Sequence, residues 1–211
     1  MPTRIPAAVL RRDLGAIAAS QAGYFTAGQA LGVGYEDANF GHHVRTGAWI
    51  RVTRGIYRLA GWPDQPGDDL LLWHLWSGGQ AVVSHLSAIE HWALGQLEAD
   101  RPHLTVPRTF RRTLPTQLRP APVLHRRDLE WQRDVTFSNR GFKVTTVPRT
   151  IIDIASLVDA DHLALVLQDA FSRGYLSSEL LDHWMQKATP DAAATITRAR
   201  TELHEGNVTV R

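Results

Sequence analysis

The chain has 211 residues, of which 44% are hydrophobic and 21% are charged. These values are ordinary for a globular protein and leave enough apolar volume for a packed core. There is no cysteine, which excludes a disulfide scaffold and thiolate chemistry. No apolar run reaches the roughly 18 residues of a membrane helix, and the first residues have no signal-peptide core. We therefore expect a cytoplasmic protein with no membrane partner.

The charges of the chain are arranged in blocks, although the formal net charge is only +2. Residues 1–62 carry a net charge of +4 and residues 63–100 a net charge of −6. Residues 101–149 carry +8, and residues 150–211 carry −4. A basic block attracts nucleic-acid phosphates by Coulomb forces and counterion release. A solvated surface with chance clustering is the alternative.

Three short helices are predicted in the first fifty residues. Apolar residues at helical spacing define the first, which ends near Gly23; they are Leu10, Leu14, Ile17 and Ala18. Thr26 is a candidate N-cap for a second helix over residues 27–31. Glycines 32 and 34 then mark a turn, and a third helix is predicted over residues 35–46.

A basic hairpin is predicted to follow these helices. Its strand-forming residues flank a turn at residues 53–55; they are Ile50, Val52, Ile56 and Tyr57. Three helices followed by a basic hairpin form the order of a winged helix-turn-helix, which we predict for residues 1–62. In that fold the third helix enters the major groove of DNA, and basic wing residues reach the backbone or the minor groove.

The candidate DNA contacts lie on the predicted helices and on the wing. They are Thr26, Gln29, Tyr35, Asn39, His42, Arg45, Arg51, Arg54 and Arg58. Glu36 and Asp37, near the start of the third helix, would repel phosphate. We therefore expect the helix to read bases and the wing arginines to supply most of the affinity. The alternative is a winged helix that serves only as a scaffold.

Residues 63–211 are predicted to form a mixed α+β domain after a linker, WPDQPGDD. Strands are expected in its middle, at 81–83, 103–107, 122–129, 133–137 and 142–145. Helices are expected at 70–76, 84–94, 149–158, 162–173 and 177–187, before a polar helical tail that frays at EGNVTVR. No internal repeat is evident.

The densest basic cluster of the sequence lies in this second part. It comprises Arg108, Arg111, Arg112, Arg119, Arg126 and Arg127. The cluster has three functional interpretations: an extended DNA footprint, an RNA-binding surface, or a surface for an acidic protein partner. A merely solvated face is the fourth.

Tests for enzymatic chemistry are negative at the level of motifs. The ten histidines are scattered and form no HExxH metal site. Ser84, His85 and His91 lack a third orienting group, and no phosphate-cradling glycine loop is present. We therefore predict no catalytic residue, no metal and no cofactor. Arg149 and Asp153 have i,i+4 helical spacing, which predicts an ion pair that is either a structural clamp or a functional contact.

Two sets of segments resemble the AbiEi-type antitoxins of type IV toxin–antitoxin pairs. The first is FTAGQALGVG with VRTGAWIRVTRGIYRLAGWP; the second is VVSHLSAIEHWALG, HLTVP, LHRRDL, TTVPRTIIDIA and LQDAFSRGYLSSELL. The resemblance implies a winged-helix regulator that binds inverted repeats in its own promoter and represses it. It also implies that residues 63–211 form an antitoxin domain, with Arg149 and Asp153 as candidate contacts.

The partner implied by the resemblance is a nucleotidyltransferase-like toxin, which such antitoxins counteract without necessarily forming a stable complex. Two alternatives stay open at this point. One is an enzyme that neutralises the toxin by modifying it. The other is a protein-interaction module in which the winged helix is only a scaffold.

Overall fold

The computed structural model describes residues 5–206 and divides the chain into two compact units. The first unit runs through Gln80 and also includes Arg111–Arg119 and Ser138–Phe142. The second consists of Ala81–Phe110, Pro120–Phe137 and the chain from Lys143 onwards. The first unit therefore extends beyond residue 62, where we expected the domain boundary, and it is assembled from three separate stretches of chain.

The first unit contains four α-helices and a three-stranded antiparallel sheet among its described residues. The helices are α1 (Ala7–Ala19), α2 (Ala27–Val33), α3 (Phe40–Arg45) and α4 (Asp68–Trp76). The strands are β1 (Tyr24–Thr26), β2 (Trp49–Thr53) and β3 (Ile56–Leu59). Their order in the sheet is β1-β3-β2, so that β1, which the sequence did not predict, pairs with the second strand of the wing.

An aromatic cluster forms the core of this unit. The ring of Trp49 lies 4.8 Å from that of Phe25, 5.0 Å from Tyr35 and 5.2 Å from Phe40, each in edge-on geometry. Edge-to-face contacts of this kind stabilise a core beyond the area that they bury. Trp49 thereby joins the first strand of the wing to the segments that precede it.

A capping box begins α2, as the sequence predicted for Thr26. The Gln29 backbone N–H donates to Thr26 Oγ1 at 3.1 Å, and the Thr26 backbone N–H donates to Gln29 Oε1 at 2.8 Å. This reciprocal pair satisfies two backbone donors that a helix N-terminus leaves without partners. The helix extends two residues beyond the predicted end, to Val33.

The third predicted helix, residues 35–46, is shorter and broken in the structure. A 3-10 turn over Asp37–Asn39 precedes the six-residue α3. Gly34 adopts a left-handed conformation with φ of 107°, and Glu36 is extended. The helix begins later because of tertiary packing. Tyr35 is 8% exposed and packs on Trp49, so it cannot also begin a surface helix.

The second unit has a five-stranded mixed sheet and six helices among its described residues. The strands are β4 (Val82–Val83), β5 (His103–Val106), β6 (Val123–Arg126), β7 (Val135–Phe137) and β8 (Lys143–Thr145). The helices are α5 (His85–Trp92), α6 (Trp131–Asp134), α7 (Val147–Ile154), α8 (Ala160–Ser172), α9 (Ser178–Met185) and α10 (Pro190–Glu205). The strand order is β6-β5-β4-β8-β7, with parallel pairs β5–β6 and β4–β8.

Helix α7 lies at the centre of the second unit, and all eight of its residues are buried. Ile151 and Ile154 pack in one apolar cluster with Leu163 and Leu167 of α8 and Ile196 of α10. Burying an aliphatic side chain of this size stabilises a fold by about 1.5–3 kcal/mol. The cluster therefore fixes the position of any polar residue that α7 carries.

The prediction of a mixed α and β fold is confirmed, and most predicted elements are present within a few residues of their expected ends. Strand β1 and helix α6 were missed. The predicted fraying at EGNVTVR falls mainly on residues 207–211, outside the described residues. Within residues 5–206, no helix is long and apolar enough to cross a membrane.

Candidate functional site

Three exposed arginines mark one candidate interface on the first unit. Arg45 is the last residue of α3, Arg51 lies on β2, and Arg54 lies in the β2–β3 turn. Gly55 completes this turn with φ of 75°, a conformation that favours glycine. All three side chains were predicted as DNA contacts, and the structure leaves each of them exposed on the helix or the wing.

The exposed face of the segment around α3 carries few bulky side chains. Ala38, Gly41, His42 and Arg45 are exposed and follow each other at helical spacing. A Cβ added at Gly41 would meet no heavy atom within 4 Å. Asn39 is also exposed, and its Nδ2 donates to Glu36 Oε2 at 3.3 Å. His42 is therefore exposed on the shorter helix α3, and Asn39 is exposed at the end of the 3-10 turn before it.

Three other predicted contacts serve the fold instead. Thr26 and Gln29 are engaged in the capping box, and the Gln29 side chain also exchanges hydrogen bonds of 2.9 and 3.1 Å with Gln21. Tyr35 lies in the aromatic core, where burial raises the pKa of its hydroxyl despite the charge of Arg11. The structure therefore contradicts the expectation that Tyr35 reads bases, since its ring is not on the surface.

Arg58, the fourth predicted DNA contact that serves the fold instead, is buried. Its side chain is 11% exposed, and its Nη2 donates to Asp68 Oδ2 at 2.9 Å and to the Pro63 carbonyl at 3.0 Å. Its Nε donates to the Ala22 carbonyl at 3.0 Å, and its Nη1 pairs with Asp64. The predicted wing contact is thus wrong for Arg58, because its donors already bind the segment that we expected to be a linker.

The fold divides the second basic block between the two units. Arg111, Arg112 and Arg119 belong to the first unit, whereas Arg108, Arg126 and Arg127 belong to the second. Arg112 Nη1 donates to the Trp76 carbonyl at 2.7 Å, inside the first unit. The charge block seen along the sequence is therefore divided by the fold, and its two parts need separate explanations.

The second unit contains a basic pocket of about 270 Å³. Residues from five elements and from the segments beside them line it. We call it the β5–α7 pocket. Its lining comprises His85, Thr105, His125, Arg126, Arg127, Arg149, Ile152, Asp153, Ser156, Lys187, Thr189 and Ala192. Four of the segments that resemble the antitoxin family contribute to it. The sequence did not predict that they meet.

A buried ion-pair network forms one wall of the β5–α7 pocket. Arg149 donates to both carboxylate oxygens of Asp153, at 3.0 Å from Nε and 2.6 Å from Nη2. Arg127 lies 3.7 Å from Asp153, and Asp134 lies 3.9 Å from Arg149. Burial raises the pKa of Asp153, opposed by both arginines. The predicted i,i+4 pair is present, and it lines a pocket as well as clamping a helix.

Three histidines that are scattered in sequence converge beside this pocket. The rings of His85 and His125 are stacked, with centroids 3.4 Å apart and planes 12° from parallel. His103 Nδ1 lies 3.1 Å from His125 Nε2. The alternation of His103 and Thr105 along β5 is the one feature of the sequence that could have predicted this cluster. These two residues lie on the same face of the sheet, and Thr105 is in register with His125 of the neighbouring strand β6.

Burial lowers the pKa of all three imidazoles, which favours their neutral form. It lowers the pKa of His85 to about 2, assisted by His125, His103, Arg149 and Arg127, and it lowers the pKa of His125 to about 4. Ser84 Oγ accepts from Thr105 at 2.8 Å and lies 2.9 Å from His85 Nδ1. Because Ser84 is fully buried, it is not an accessible nucleophile, and His91 is not part of this group.

The first unit combines a three-helix segment, a paired wing and an exposed basic surface, which is consistent with a winged-helix regulator. Residues 12–60 match the family described as "Transcriptional regulator, AbiEi antitoxin". The resemblance to AbiEi-type antitoxins is thus confirmed over this segment. No curated protein matches the sequence.

Among solved structures, the chain is similar to the "RV2827C protein from Mycobacterium tuberculosis", with a TM-score of 0.57 and 15% sequence identity. The similarity covers 99% of this chain and 84% of that one. At this identity the similarity extends to the fold alone.

Proposed function

We propose that this protein is a DNA-binding transcriptional regulator of the antitoxin type. It binds inverted repeats in its own promoter through the first unit and represses transcription. The observation that carries this proposal is the set of exposed arginines on α3 and the wing, Arg45, Arg51 and Arg54. The family match over residues 12–60 supports it independently.

The physical basis of binding is phosphate contact by the wing and close approach by the helix. Arg51 and Arg54 supply charge-assisted hydrogen bonds to phosphates, and each neutralised phosphate releases counterions. Small residues at Ala38 in the 3-10 turn and Gly41 in α3 allow the backbone of this segment to approach base edges, while His42 and Asn39 supply polar groups for readout. Glu36 and Asp37 weaken phosphate binding at the start of this segment, so the wing carries most of the affinity.

The second unit, in the same proposal, counteracts a nucleotidyltransferase-like toxin without a catalytic step and without a stable complex. Its support is the family match of the first unit and the segments of the second that resemble the same antitoxins. The protein acts in the cytoplasm, where both its promoter and its toxin are found. No cofactor takes part in the proposed action.

A salt titration of operator binding tests the DNA-binding part. The probe is a duplex from the region upstream of the protein's own gene, and binding of the full chain is measured between about 50 and 200 mM salt, where phosphate contacts lose affinity steeply. Arg54→Ala is expected to weaken binding to all sequences alike and to lower the salt slope by about one. Arg198→Ala, an exposed arginine on α10, is the matched control. An unchanged slope in Arg54→Ala would contradict the proposal.

Coexpression with the toxin encoded beside this protein tests the antitoxin part. Arg51→Ala with Arg54→Ala is expected to lose operator binding and to retain neutralisation, since the two activities are assigned to different units. Mass spectrometry of the toxin after coexpression is expected to show its unmodified mass. A covalently modified toxin would identify the protein as an enzyme and overturn this part of the proposal.

A further inference from the structure

The β5–α7 pocket has a strong positive charge for its size. Arg126, Arg127, Arg149 and Lys187 line it, and Asp153 is the one carboxylate among its lining residues in the described chain. With the histidines neutral, the lining carries a net charge of +3. A concave site with low-dielectric walls concentrates such a potential, which attracts anions from solution. DNA binding by the first unit makes no use of this charge.

The basic groups of the pocket are already positioned. Arg149 is 7% exposed and is held by Asp153, which leaves its guanidinium at a fixed place in the wall. Arg126 Nη1 donates to the Phe110 carbonyl at 2.7 Å, which orients that side chain. Lys187 lies 5.6 Å from the Trp184 ring centre. Groups that are fixed before binding lose little conformational entropy when a ligand arrives.

Neutral hydrogen-bonding groups complete the site. Thr105, Ser156 and Thr189 contribute hydroxyls to the lining. Ser84 Oγ accepts the Thr105 hydroxyl at 2.8 Å and lies within hydrogen-bond distance of His85 Nδ1, at 2.9 Å. His85 also has φ of 52°, a strained conformation for a residue with a Cβ. The surrounding contacts therefore hold this imidazole in place.

A metal ion fits this arrangement less well than an anion does. One nitrogen from each of His85, His103 and His125 lies within 4.8 Å of the other two, a spacing that suits a transition metal. However, an imidazole binds metal through a lone pair in its ring plane, and the stacked planes of His85 and His125 do not converge on one point. The four neighbouring cations also repel a metal ion.

We propose that the β5–α7 pocket is a binding site for a phosphate group, carried by a ligand no larger than a mononucleotide. Arg126, Arg127 and Lys187 contact the phosphate oxygens, with Arg149 as the fixed charge behind them. The volume of about 270 Å³ lies just below the roughly 300–1,000 Å³ of pockets for drug-sized ligands. The site belongs to the second unit, and in the proposed regulator it adds a small-ligand function to DNA binding.

Isothermal titration of the full chain with inorganic phosphate, AMP and chloride at matched ionic strength tests this proposal. Phosphate and AMP are expected to bind and chloride is not. The double variant Arg126→Ala with Arg127→Ala is expected to weaken phosphate binding at least tenfold, and both side chains are exposed enough to be removed without loss of folding. Arg101→Ala, an exposed arginine of the same unit, is the matched control.

Two further measurements make the result decisive. A 5′-phosphorylated oligonucleotide, compared with its unphosphorylated form, shows whether the phosphate comes from a nucleic-acid end or from a free nucleotide. Operator affinity and its salt slope are expected to be unchanged in the double variant, so failure here is distinguishable from failure of the DNA-binding proposal. Equal phosphate affinity in wild type and double variant, or binding of Zn²⁺ in place of phosphate, would overturn the inference.

Discussion

Two arginines of the wing show how one residue type takes opposite roles four positions apart. Arg54 lies in an exposed turn, whereas Arg58 is buried and pairs with Asp68. The sequence predicts the same role for both residues, because an arginine in a basic hairpin is expected to contact phosphate. The difference depends on Asp64 and Asp68, whose acidic segment was interpreted as a linker. This segment packs beside β3 through tertiary contacts, which the hydrophobic periodicity of the sequence does not predict.

Arg58→Ala is expected to lower the free energy of unfolding by about 3 kcal/mol, since removing one member of a buried ion pair leaves the other desolvated. Arg140, which donates to Asp68 Oδ1 at 2.7 Å, limits the loss. Arg54→Ala is expected to change stability by less than about 0.5 kcal/mol, as is usual for surface substitutions. Urea denaturation measures both. Equal effects of the two variants would show that Arg58 is not a structural clamp.

His85 is expected to make the folded protein sensitive to acid. Its folded pKa of about 2 lies below the ordinary 6.5, so only the unfolded state takes up a proton as the pH falls through 6.5. Stability is therefore present above pH 6.5 and is lost below it, by about 2 kcal/mol between pH 7 and pH 5.

Denaturation of His85→Asn across this pH range measures the effect, because asparagine tolerates the left-handed backbone at this position. The variant is expected to lose about 2 kcal/mol less than the wild type between pH 7 and pH 5. His204→Asn, an exposed histidine of α10, is expected to retain the wild-type slope. A slope in His85→Asn as steep as that of the wild type would contradict the assignment.

At the scale of elements, local signals were predictive where local interactions decide the structure. Thr26 was predicted as an N-cap and forms a capping box, and the turn at Gly55 lies where the sequence placed it. The third helix was predicted too long because Tyr35 packs in the core. The histidine cluster was missed because β5 and β6 are neighbours only in the sheet. Pairing between strands that are distant in the sequence depends on the whole fold, so local sequence patterns do not predict it.

Gly41 tests the helix that we assign to the DNA interface. Gly41→Ala is expected to raise the free energy of unfolding by about 0.5–1 kcal/mol, since glycine costs that much inside a helix and the added methyl group meets no atom within 4 Å. Gly34→Ala is the matched contrast, because its φ is 107° and its Cβ would lie 2.7 Å from Ile5 Cδ1. Thermal denaturation is expected to move in opposite directions for the two variants.

At the scale of the whole molecule, the discontinuous first unit is the feature that sequence analysis could not supply. A boundary at residue 62 follows naturally from a segment rich in proline, glycine and aspartate. The structure instead ties that segment to the wing through Arg58, and Gln117 Nε2 donates to Thr53 Oγ1 at 2.8 Å from a much later stretch. Composition marks loops well, but it does not tell which unit a loop packs against.

The segment 63–68 is therefore expected to be protected from hydrogen exchange. The Gln65 backbone N–H donates to Asp68 Oδ2 at 3.0 Å, and the Asp68 N–H donates to the Gln65 carbonyl at 3.1 Å. Exchange of a flexible linker would be nearly unprotected. Mass spectrometry of the full chain measures this, and Arg58→Ala is expected to abolish the protection. Fast exchange of this segment in the wild type would restore the linker interpretation.

The three-part construction of the first unit also has a consequence during synthesis on the ribosome. Its aromatic core is complete once residue 59 has emerged, but Gln117 and Arg140 follow much later in the chain. Translation at about 5–20 residues per second separates these events by several seconds. A nascent chain therefore forms the aromatic core of the first unit several seconds before it can complete the contacts that Gln117 and Arg140 make with the wing and with Asp68.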